Sequence, residues 1–304
     1  MGTAAAERRW RPGFALSLRL VLGVHSRGGG DPTFVTDSAG AIWRTARTPD
    51  GPGTVRFVPD GDEVAVTAWG AGAAWLVEHA PDWLSARDDL RGFRPQPTVL
   101  RDGARRTGGP RLGRTGLVME ALVPSVLEQK VTGGDARRAW RWLVRRYGDP
   151  APGPAAGMVV VPTPQTWRSI PSWDWHRAGV GPQRSATIVR AAGVASRLEE
   201  ITAMDPEQAD RRLRAVPGVG AWTSAEVRQR ALGDADAVSV GDLHVPRLIN
   251  YALTGEVSDS DDDMLDALEP YRGHRFRVQR ILELSDVRAP RFGPRYTPHD
   301  FRTS

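Results

Sequence analysis

Between Leu213 and Val245 the chain reads LRAVPGVGAWTSAEVRQRALGDADAVSVGDLHV, a stretch that gathers the residues best suited by type and spacing to do chemistry. Pro217, Gly218 and Gly220 form a Pro-Gly-Val-Gly turn, too short for a strand and too glycine-rich for a helix interior. Helix-compatible residues precede it and resume from Ala221 to Leu232, so the turn joins two helices. Amides near Gly218, Gly220 and Ala221 then open the second helix, where no preceding carbonyl can pair with them and the helix dipole is positive. Such a joint suits an anion, a phosphate for example. Trp222 follows directly, and Glu226 lies one helical turn further along the same face. After a polar loop, Asp242 stands in the run SVGD. A Gly-Asp pair commonly caps its own turn, whereas a carboxylate near an anion-binding joint can also stabilise developing positive charge. The residues alone leave both roles open. Asp234 and Asp236 read as turn residues.

Positioning these groups requires a folded frame, and 304 residues suffice for two domains with ample core. The net charge of +5 is compatible with a polyanionic partner, although the basic residues are nearly all arginine, as a GC-rich genome favours; Lys130 is the single lysine. Cysteine is absent, which excludes disulfides, thiolate zinc sites and a Cys-ligated iron–sulfur cluster. The six histidines are scattered without metal-ligand spacing. No apolar run is long enough for a membrane span and the N-terminus lacks a signal-peptide core, so no membrane association and a cytoplasmic location are expected.

Along the chain, Phe14, Leu16, Leu18, Leu20 and Leu22 alternate with other residues, a period of two that predicts a half-buried strand. Thr33 to Thr36, Ala41 to Ala46, Thr54 to Val58 and Glu63 to Trp69 are further strand-like pieces, and a helix follows Trp69. The expected fold class is therefore α+β. Residues 1–92 form a small antiparallel sheet domain with one helix, and 93–114, rich in Pro, Gly and Arg, form an extended linker whose arginines are mainly solvated. An all-α domain occupies 115–289, and 290–304 form a loose polar tail. Predicted helices span Leu117 to Lys130, Ala136 to Tyr147, Pro162 to Trp167, Trp173 to His176, Gln183 to Leu198 and Asp205 to Arg214. Asp259, Asp261, Asp262 and Asp263 lack the spacing of a calcium loop and are assigned to a helix start.

VPGVGAWTSAEV, a loop and VGDLHV together resemble the helix-hairpin-helix and following aspartate of the DNA glycosylase superfamily, most closely the AlkA-type 3-methyladenine DNA glycosylases. LVPSVLEQKVT, VPTPQTW and HRAGVGPQRSATIVRAAGVA occur in the order found in that family, so the likeness covers roughly residues 115 to 285 and is loose before them. The resemblance implies an enzyme that flips a damaged base from duplex DNA and hydrolyses its N-glycosidic bond, with Asp242 stabilising the cationic sugar and positioning water. It also implies that carbonyls of Arg214, Val216 and Val219 hold a monovalent Na or K ion bridging to a phosphate, with no other cofactor required. Trp222 stands where strand-cleaving relatives carry a Schiff-base lysine, which implies a monofunctional hydrolase without lyase activity. The same tryptophan matches one that lines the AlkA-type base pocket, core packing being the alternative. Glu226 and Arg280 replace aromatic pocket residues of the family pattern, so the expected pocket is more charged; Glu226 either attracts the base or pairs with an arginine such as Arg280. Gln129 and Lys130 match residues that probe the duplex and fill the gap left by the flipped base. Alkylated purines such as 3-methyladenine are the expected substrates of a monomeric, nucleoid-associated protein. Oxidised or deaminated bases, and a non-catalytic protein that binds DNA structure, are the other readings.

Overall fold

The computed structural model describes residues 5–107 and 110–290. Five antiparallel strands come first: β1 (Ala6–Trp10), β2 (Phe34–Thr36), β3 (Ile42–Thr48), β4 (Gly51–Asp60) and β5 (Glu63–Gly70), in the order β1-β5-β4-β3-β2. Alternate residues of β3 to β5 turn Ile42, Val55, Phe57, Val66 and Ala68 inward, where they meet α1 (Leu18–Leu22) and α2 (Ala73–Trp83).

The strand expected over Phe14 to Leu22 is instead α1 preceded by irregular chain. Its apolar residues satisfy two periods at once, for Leu18, Val21 and Leu22 also lie at i, i+3 and i+4, and those three are buried. Ser17 tips the balance by capping the helix, its side chain accepting the Leu20 amide. The first strand of the sheet is instead Ala6–Trp10, paired with β5. The segment expected as an extended linker also carries a packed helix, α3 (Thr98–Thr107). Gly103, a poor helix former, is what allows the packing: a Cβ there would come 2.5 Å from the Ile281 side chain.

The helical part is α4 (Val118–Leu127), α5 (Gly133–Tyr147), α6 (Pro164–Ser169), α7 (Ser172–Arg177), α8 (Pro182–Gly193), α9 (Ala195–Glu199), α10 (Pro206–Arg214), α11 (Ala221–Val227), α12 (Val245–Thr254), α13 (Asp261–Leu268) and α14 (Arg275–Glu283). A two-stranded ribbon, β6 (Asp149–Pro150) with β7 (Val159–Val160), separates α5 from α6. α4 is buried along its whole length and ends at Leu127, short of the expected Lys130, while the helix expected over Gln183 to Leu198 breaks at Val194. Around α4 lie the buried faces of α5 and α8 to α10. Leu100 of α3 joins α12 to α14 in a separate apolar cluster. Ser260 caps α13, whose first turn holds Asp261 to Asp263, as expected from the sequence. Among the described residues no helix is long and apolar enough to cross a membrane. The predicted loose tail falls, from residue 291 onward, outside the described residues.

Candidate active site

α10 ends at Arg214 and α11 starts at Ala221, so the Pro-Gly-Val-Gly turn does join two helices. Gly218 sits at φ +98°, and a Cβ on it would lie 2.0 Å from Thr187 Oγ1, so only glycine fits without displacement. The Pro217 carbonyl accepts Arg190 Nε at 3.2 Å, and the Val216 carbonyl accepts the Val219 amide at 3.0 Å. From the other side Gln129 Nε2 donates to the Gly218 carbonyl at 3.0 Å and to Thr223 Oγ1 at 2.8 Å. The side chain expected to probe DNA is thus engaged with the hairpin. Lys130, next to it, is exposed and held at φ +52°, an unusual setting for a non-glycine residue.

Behind α11 the chain passes through a π-helical turn, Arg228–Leu232, into the loop that carries the candidate aspartate. Asp234 pairs with Arg228, and Asp236 accepts the backbone amides of Gly273 and Arg275, so both serve the loop as the sequence suggests. Gly241 is fixed by its amide, which donates to the Asp261 carboxylate at 3.0 Å. Asp242 Oδ1 accepts the amides of His244 at 2.7 Å and Val245 at 3.1 Å, at the start of α12. Its Oδ2 accepts the indole Nε1–H of Trp222 at 3.1 Å. One carboxylate therefore caps a helix and is aimed by the tryptophan of the hairpin helix.

Trp222, Glu226, Asp242 and Arg280 line a single cavity of 270 Å³. Glu226 is buried, and its partner is Arg230, one turn along, at 2.7 Å; Arg280 binds Glu283 at 3.1 Å. Of the two roles expected for Glu226, the structure has the pairing with an arginine, through Arg230 at i, i+4 and not through Arg280. Burial alone would lower the Arg230 pKa, and the charges of Glu226 and Glu128 outweigh it to raise the value. The second oxygen of Glu226 accepts Ser239 Oγ, which in turn receives the amides of Gln229 and Gln279. This closed network makes the back wall rigid and polar.

The sheet unit and its first helix also reach the cavity, through Leu20, Val21 and Val24. Arg27 is buried and pairs with Glu128, another lining residue, at 3.1 Å. Sequence reasoning left out Glu128, Arg27, Arg230, Ser239 and Gln279. Arg230 was detectable from its spacing to Glu226, and Glu128 adjoins Gln129 in the EQK run. Arg27, Ser239 and Gln279 carry no local signal.

No family model matches the chain. It is 29% identical over 222 residues to a protein of Mycobacterium tuberculosis described as a probable bifunctional transcriptional activator/DNA repair enzyme AlkA, an alignment covering 67% of this chain and 42% of that protein. The chain thus spans less than half the length of the curated relative it matches. The 3-methyladenine DNA-glycosylase of Archaeoglobus fulgidus superimposes with a TM-score of 0.77 at 18% identity, over 91% of this chain and 97% of that one. An 8-oxoguanine glycosylase/lyase of Clostridium acetobutylicum, solved with double-stranded DNA, gives 0.72 at 12% identity over 93% and 97%. The chain is thus similar in sequence to that AlkA protein and shares the fold of these two DNA glycosylases.

Proposed function

We propose that the protein is a base-excision-repair DNA glycosylase that hydrolyses the N-glycosidic bond of an alkylated purine, with 3-methyladenine as the reference substrate. The observation that carries this reading is the placement of Asp242 on a base-sized cavity, beside a DNA-gripping hairpin motif and held by three N–H donors. In the proposed reaction the flipped base enters the cavity and the C1′–N bond breaks, its electron pair leaving with the base. An alkylated base that is already cationic departs neutral and needs no acid. Asp242 stabilises the sugar cation, orients the water that adds to C1′ and relays that water's proton to solvent. The hairpin amides at Gly218, Gly220 and Ala221 grip a phosphate, and the carbonyls of Arg214, Val216 and Val219 would hold a Na or K ion, whose positive charge would favour the bound phosphate. Lys130 enters the gap left by the base.

Absence of lyase activity belongs to the same reading. Schiff-base chemistry needs an amine at C1′. The position after the hairpin is Trp222, and Lys130 is not among the residues that line the cavity. The test is incubation with a methylated duplex: free methylated base and abasic sites that break only on alkali treatment are expected. Tight, salt-sensitive DNA binding without base release from any lesion would contradict the reading.

A further inference from the structure

Four carboxylates line the cavity, and three have both oxygens hydrogen-bonded within the protein. Asp242 receives two backbone amides on one oxygen and Trp222 on the other. Glu226 spends its oxygens on Arg230 and Ser239. Glu283 accepts Gln279 on one oxygen at 2.9 Å and Arg280 on the other at 3.1 Å. Glu128 differs. Its Oε1 accepts Arg27 Nη1 at 3.1 Å, while Oε2 has no donor among the described residues, although the residue lines the cavity and its side chain is 27% exposed.

We propose that Glu128 is a specificity-determining residue of the base cavity, whose uncommitted oxygen accepts an N–H from the edge of the extruded base. This deepens, and rests on, the glycosylase reading above. A carboxylate can only accept, so it selects bases that present a donor. An amine facing it forms a charge-assisted bond; a carbonyl at the same place meets an anion and is rejected, so discrimination comes from repulsion as well as attraction. The substrate class is therefore amine-bearing alkylated adenines, as opposed to deaminated purines whose six-position is a carbonyl. Arg27, fixed from the sheet side by its own amide donating to Asp31 at 2.7 Å, holds Glu128 in place. The ion pair also offsets part of the cost of holding an anion beside a base. Glu128 is additionally the first residue of the turn that carries Gln129 and Lys130, so reading of the base and gripping of the duplex share one short segment.

Single-turnover excision of 3-methyladenine and of hypoxanthine, each in the same duplex, is to be compared for wild type, Glu128→Gln and Glu128→Asp, with thermal melts to establish that each folds. For Glu128→Gln the rate on 3-methyladenine falls at least about tenfold while the rate on hypoxanthine holds or rises, and Glu128→Asp, which retains the charge, recovers part of the preference. Equal losses on both bases, or no loss on either, overturn the assignment of Glu128 and leave the glycosylase reading standing. A wild type that folds yet releases no base overturns the reading and the assignment together. If Glu128→Gln fails to fold, Glu128→Asp decides: a preference for 3-methyladenine that is reduced yet kept supports the carboxylate as the selector, and an unchanged preference, or equal losses on both bases, contradicts it.

Discussion

Asp242 divides its duties between its two oxygens: Oδ1 caps α12 and Oδ2 receives the indole of Trp222. A capped, triply bonded carboxylate has little rotational freedom, so its charge is pre-aimed instead of being gathered during the reaction. The indole N–H can be removed without removing the ring. Trp222→Phe is expected to lower the single-turnover excision rate about tenfold, the scale of one hydrogen bond to a charged group, with DNA affinity unchanged in a fluorescence titration. Undiminished excision would mean that the indole N–H plays no part. Borohydride treatment of the working enzyme on its lesion duplex should trap no covalent adduct. Asp242 and Trp222 were legible in the sequence because hairpin and aspartate lie close together along the chain. Glu128 and Arg27 were not, since they are separated by a hundred residues and meet only when the sheet unit docks on α4.

The elements explain how such distant groups stay in register. The hairpin is clamped from α8 by Thr187 and Arg190 and from the α4 turn by Gln129. Gly218→Ala would place a methyl 2.0 Å from Thr187 Oγ1 in a left-handed backbone setting. A loss of about 2–3 kcal/mol in denaturant unfolding is expected, with a larger proportional loss of DNA binding. At the other end of α4, Glu199 accepts the amides of Val118 at 2.8 Å and Met119 at 2.9 Å. Burial pushes its carboxyl pKa up to about 7, against the opposing pull of those two amides. A carboxyl raised on folding contributes stability that is fully present below its unfolded value, near 4.5, and is lost as pH rises through about 7. Unfolding free energy should therefore decline between those values and flatten in Glu199→Gln; a wild-type curve that rises across the window would contradict this. Helix existence was widely legible from apolar periodicity, but α1 and α3 were not. α1 fits two periods until its cap is seen, and α3 hides behind a glycine whose use is tertiary.

At the scale of the molecule, a sheet unit and two helical cores meet around one cavity, and buried ion pairs mark the seams. Arg44 meets Glu120 at 3.1 Å between β3 and α4, and Arg27 meets Glu128 beside it. Arg277, wholly buried on α14, binds Asp88 at 2.6 Å and the Pro110 carbonyl at 2.7 Å, tying the chain on both sides of α3 to the C-terminal helices. Breaking such a pair leaves a buried charge alone, so Arg277→Met should cost about 3–5 kcal/mol, read from the urea midpoint. The sheet unit, read from sequence only as a domain of its own, contributes Leu20, Val21 and Val24 to the cavity wall. That role depends on three-dimensional docking and leaves no mark in local pattern. The most direct test of the account is release of 3-methyladenine from a defined duplex by wild type and Asp242→Asn side by side. The account predicts multiple-turnover release by wild type and a loss of at least about a thousandfold, some 4 kcal/mol of transition-state stabilisation, in a variant that still folds and binds the duplex. Release by Asp242→Asn at the wild-type rate would contradict it.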